Sequence, residues 1–128
     1  MVWSLPAGAV DGAKHGSLED AAWAELSEEC GLRGGTLIRL LPDTHPGLLE
    51  TKWCRNRFTP FLVLDPECDK APGQRDAEEA VLTSHRVPLR QLMDMLYGDD
   101  ILLHSVATTH LAVRELLRRG LLDVSLLV

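Results

Sequence analysis

The chain has 128 residues, a size for one domain, and carries 25% charged and 45% hydrophobic residues, the balance of a folded rather than a disordered protein. Thirteen Lys and Arg against nineteen Asp and Glu give a net charge of −6, which argues against nucleic acid as a partner unless a basic patch or a metal ion intervenes. No apolar run reaches the ~18 residues of a membrane-spanning helix, so no membrane partner is expected.

Residues 2–5 read as the end of a strand closed by Pro6, and 7–16 as a loop with three glycines and no periodicity. Ser17 reads as the N-cap of a helix over 18–30, with Asp20 completing the capping-box pattern. Gly31 sits where a left-handed glycine would stop that helix. A strand is predicted over 36–41, then a turn-rich loop over 42–47. A longer strand follows over 51–64, or two segments joined near Pro60. Residues 65–76 read as an exposed loop and 80–87 as a strand ending at Pro88. Apolar residues at helical spacing predict two closing helices, 89–97 and 104–119. The order is that of a mixed α/β domain. The three cysteines, Cys30, Cys54 and Cys68, are odd in number and widely spaced. Reduced thiols explain them better than a disulfide framework or a metal knuckle. Residues 1–6 lack a basic start and an apolar segment, so the expected location is the cytoplasm or another reducing compartment.

The helix over 18–30 carries the chemistry. Glu25, Glu28 and Glu29 fall at i, i+3 and i+4 and share one face. Like charges at that spacing cost a helix about 0.2–0.5 kcal/mol per pair, and acids near a C-terminal end oppose the dipole. No Lys or Arg within a turn relieves them except Arg33, just past the end. Such a cluster is either a solvated face or a site for a hard divalent cation, for which Mg²⁺ is the usual bridge to substrate phosphates.

The flanking residues favour the cation site and leave a solvated face as the alternative. Glu25-Leu26-Ser27-Glu28-Glu29-Cys30-Gly31-Leu32 resembles the second half of the Nudix hydrolase box at every fixed position after its Arg. Leu5-Pro6-Ala7-Gly8 is similar to the entry of that box, in the form seen in the ADP-ribose and ADP-sugar pyrophosphatase branch. The box covers 5–32. Two positions depart from it: Ala24 stands where the motif has Arg, and Gly16 where it has its first Glu. If Gly8 is the first motif glycine, the loop carries two extra residues.

The resemblance implies a single Nudix-like α/β/α sandwich over 1–128 with a mixed sheet. Because the box begins at residue 5, that sheet would lack its first strands. The chain is then a truncated domain, a mis-started reading frame, or a protein whose sheet is completed by another chain, as in a homodimer. The implied activity is Mg²⁺-dependent (or Mn²⁺-dependent) hydrolysis of the diphosphate linkage in a nucleotide sugar such as ADP-ribose. Glu25, Glu28 and Glu29 would hold the ion with the backbone carbonyl of Ala7, and Glu25 would act in catalysis. The family adds an acid from a later loop, for which Glu78 and Glu79 are the candidates. Arg55 and Arg57, on one face of the predicted strand by its period of two, are candidates for substrate phosphate. The departures at Gly16 and Ala24 leave a second reading, a catalytically weak or inactive Nudix-like module that binds nucleotide or a protein partner.

Overall fold

A computed structural model describes residues 1–74 and 82–128. Helices and small sheets make the chain mixed α/β. The elements are α1 (Leu18–Cys30), β1 (Leu32–Arg33), β2 (Thr36–Arg39), β3 (Leu48–Leu49), β4 (Arg57–Phe58), β5 (Phe61–Leu64), β6 (Glu67–Cys68), α2 (Leu89–Met95) and α3 (Leu103–Arg118), with a last 3₁₀ turn at Val124–Leu126. Two compact units divide the chain. One holds Met1–Leu5, Arg39–Leu62 and Arg86–Val128, the other Pro6–Ile38 and Val63–His85. β2 pairs with β5.

In the unit of Pro6–Ile38 and Val63–His85, α1 has the predicted bounds for the predicted reasons. Ser17 Oγ accepts the Asp20 N–H at 3.1 Å. Gly31 turns left-handed at φ 62°, and its N–H caps the carbonyls of Leu26 and Ser27. β1 follows at once and pairs antiparallel with β6, Leu32 opposite Cys68 and Arg33 opposite Glu67. This ribbon replaces the expected plain loop over 65–76: Asp65 adopts φ 51°, which turns the chain from β5 toward β6.

In the other unit, the strand predicted over 51–64 is two segments, as the Pro60 alternative has it, but its first part is a turn. Thr51 Oγ1 accepts the N–H groups of Trp53 (3.2 Å) and Cys54 (3.3 Å), and this local bonding outcompetes extension. Residues 50–56 thus close a hairpin in which Leu48 faces Phe58 and Leu49 faces Arg57. Residues 82–87 form no strand, and 80–81 lie outside the described residues. Trp3 makes a parallel bridge with Ile101, its N–H meeting the Asp100 carbonyl at 2.6 Å.

α3 buries Ser105, Thr109 and Val113, spaced by four. Ser105 Oγ accepts the Leu5 N–H at 2.9 Å, and Thr109 donates to the Ser105 carbonyl at 2.8 Å, so the buried hydroxyls are satisfied. The apolar core is thin. Among the described residues only Ala21, Ile38 and Val113 are buried hydrophobics. No disulfide links Cys30, Cys54 and Cys68, and no helix of the described residues is long and apolar enough to cross a membrane.

At the end of α3, Glu115 accepts from Arg118 at 2.6 and 2.9 Å and from Arg119 at 2.8 Å. These guanidinium bonds, Arg118 first, pull its carboxyl from 4.5 to about 2. A carboxyl depressed on folding adds stability above its ordinary value and loses it as pH falls toward the folded one. The thermal midpoint of the protein should therefore drop between about pH 5 and about pH 2. In Glu115→Gln that drop should be shallower, as followed by circular dichroism.

Candidate functional site

α1 presents its acidic face to the loop that precedes it, and each glutamate is held by a different part of the surroundings. Glu29 Oε2 accepts the Ala7 N–H at 3.0 Å. The Glu25 carboxylate lies against Gly8: a Cβ on residue 8 would overlap it, so only glycine permits this approach. Glu28, whose side chain is 10% exposed, pairs with Lys14 Nζ at 3.4 Å and packs against Gly73.

The loop itself is built on Asp11. Its carbonyl accepts the N–H groups of Lys14 (3.0 Å) and His15 (2.7 Å), and its carboxylate accepts the Ala13 N–H at 2.9 Å. The Asp11 N–H in turn donates to Nδ1 of the buried His15 at 3.2 Å, which puts the ring's proton on Nε2. Lys14 is thereby fixed at its backbone while its side chain remains half-exposed.

A second tether lies one residue before Glu28. Ser27 Oγ donates to Asp69 Oδ2 at 2.7 Å and accepts the Gly73 N–H at 3.0 Å, while the Asp69 N–H reaches the Gly31 carbonyl at 2.8 Å. The Ser27 hydroxyl, then the Ala71 N–H, hold the Asp69 carboxyl below its ordinary range; Arg33 adds a smaller pull. The stretch after β6 is thus clamped to the helix that carries the glutamates.

The structure therefore brings Ala7, Glu25, Glu28 and Glu29 into one unit and puts Ala7 in contact with Glu29 through its N–H. Glu78 and Glu79 lie outside the described residues. Arg55 and Arg57 belong to the other unit, and the alternation expected of them does not hold. Arg57 is in β4 and donates to the Gly47 carbonyl at 2.7 Å, whereas Arg55 is exposed in the hairpin loop. Trp53, in the same loop, is 85% exposed with Lys52 Nζ 4.5 Å from its ring centroid.

Three carboxylates and a backbone carbonyl are the hard oxygen donors that Mg²⁺ takes, so the residues fit such an ion in kind. Among the described residues, no three His, Cys, Asp or Glu side chains are gathered closely enough to hold an ion as they stand. Positive charge comes to Glu28 from Lys14 instead. Sequence reasoning missed Lys14, Ser27 and Asp69. Lys14 had a signal, being the one Lys or Arg in residues 1–32, where six acids fall. Ser27 and Asp69 had none. Comparisons with protein-family models, curated proteins and solved structures find nothing that matches this chain.

Because the atoms that an added Cβ would meet are the tip of a flexible side chain, Gly8→Ala should displace Glu25 rather than unfold the protein. Its stability by urea titration should stay within about 1 kcal/mol of wild type. The side-chain carboxyl resonance of Glu25 should move.

Proposed function

We propose that this chain is a divalent-cation-dependent hydrolase of the Nudix kind, acting on the diphosphate linkage of a nucleotide sugar such as ADP-ribose. The observation that supports the reading most is the return of Glu25, Glu28 and Glu29 onto the loop that begins Leu5-Pro6-Ala7-Gly8, with Gly8 beside Glu25 and Ala7 bound to Glu29. Glu25, Glu28, Glu29 and the Ala7 carbonyl would hold Mg²⁺, with Mn²⁺ as a substitute. When bound, the ion draws charge from phosphorus and acidifies a water.

The rest falls to the chain's own groups. A diphosphate is anionic and is repelled by three bare carboxylates, so those carboxylates select for the metal-loaded form of the site. Glu25 would take a proton from the attacking water, and Ala24 leaves it without the motif's Arg beside it. Glu78 and Glu79 are the distal acids of this proposal. Arg55 and Arg57 offer guanidinium forks suited to phosphate oxygens. In this reading the fold is completed as an α/β/α sandwich with a mixed sheet.

The catalytically weak, nucleotide-binding alternative draws on Gly16 and Ala24, which remove a motif acid and its arginine. One experiment separates the two. The protein is incubated with ADP-ribose and with ADP- and UDP-hexoses plus Mg²⁺, and products are followed by phosphorus NMR. Hydrolysis should exceed that of Glu28→Gln/Glu29→Gln by about 100-fold or more. Nucleotide binding without metal, and with no turnover above that variant, would favour the binding module.

A further inference from the structure

We infer that Lys14 is a built-in counter-ion of the acidic face. It holds Glu28 while no divalent cation is bound, and gives it up when one arrives. The inference rests on the metal-site reading above and concerns how that site is regulated.

Glu28 needs a cation. Its side chain is 10% exposed, and a carboxylate withdrawn that far from water is costly without an opposite charge. α1 supplies none, since Leu18–Cys30 contains no Lys or Arg and Ala24 stands where the motif has Arg. Lys14 fills the role from outside the helix. Its backbone is pinned in the turn that Asp11 organises, which brings the ammonium to Glu28.

The same contact is built to be released. At 3.4 Å from a single oxygen it is longer than the ~2.7–2.9 Å of a charge-assisted hydrogen bond, so the attraction is mostly that of two charges. The Lys14 side chain is 48% exposed and can swing into water, which a planar arginine fork held on two oxygens would not do readily. A divalent ion at Glu28 and the ammonium compete for one carboxylate, so Lys14 raises the cation concentration at which the site fills.

The test uses Mn²⁺ alone, with no substrate, and counts free Mn²⁺ by electron paramagnetic resonance in the presence of the 128-residue chain. Lys14→Met and Lys14→Gln should bind Mn²⁺ roughly two- to fivefold more tightly than wild type, the range of a partly exposed ion pair. Lys14→Arg should bind no more tightly than wild type. In the Glu28→Gln background the Lys14→Met gain should vanish. Unchanged or weaker binding by both neutral variants, with wild type still binding, overturns the role of Lys14 and leaves the metal site standing. No binding by wild type or by either neutral variant at millimolar Mn²⁺ overturns both. Binding by the neutral variants alone supports the counter-ion in its strongest form.

Discussion

A helix with three carboxylates on one face near its C-terminal end has to find positive charge or N–H donors elsewhere in the chain. In this protein the loop before the helix provides them, the Ala7 N–H to Glu29 and the Lys14 ammonium to Glu28. Much of the local architecture follows from that requirement. The loop has to fold back over α1, so it needs a turn, and Asp11 makes one through its carbonyl and carboxylate. The return has to come close to Glu25, so residue 8 has to be glycine. A second segment holds the helix too, since Ser27 grips the stretch from Asp69 to Gly73.

These tethers matter more because hydrophobic burial is modest. Ala21, Ile38 and Val113 are small to medium side chains, whereas Trp53, Tyr97 and Leu103 are largely exposed. Hydrogen bonds to backbone therefore take a large share in defining geometry. Ser105, buried on α3, is bonded to the Leu5 amide, and Ser27 to the Gly73 amide. In both places a hydroxyl on a helix fixes a non-helical segment, which specifies position without adding apolar volume.

How much of this was legible depended on whether the signal was local. α1 was legible to the residue because its start and stop are written in adjacent positions, Ser17 with Asp20 and Gly31 after Cys30. α2 and α3 were legible from apolar spacing, but the buried stripe of α3 only in part. Apolar spacing picks out Val113, which is buried, but with it Val106, Leu111, Leu116 and Leu117, and it passes over Ser105 and Thr109 because they are polar. The stretch 51–56 was misread because β-branched and aromatic residues suggested a strand, while the Thr51 hydroxyl closed a turn. β1 and β6 are two residues each, too short for any alternation to register. In the candidate site, the helical face of Glu25, Glu28 and Glu29 was legible from spacing. The partners that hold the face were not, since Lys14, Asp69 and Gly73 reach it through tertiary contact.

Gly16 and Ala24, the two positions at which the sequence differs from the box it resembles, both bear on the charge around α1. A side chain at position 16 would begin 2.9 Å from Asp20 Oδ2, so a glutamate there would set a second carboxylate beside the acid that follows the N-cap. Gly16 leaves the cap of α1 intact. Glu28, whose side chain is 10% exposed, meets Lys14 Nζ at 3.4 Å. One ammonium from the loop at residue 14 sets a local positive charge at that inward-turned side chain, with only an alanine one turn before it on the helix.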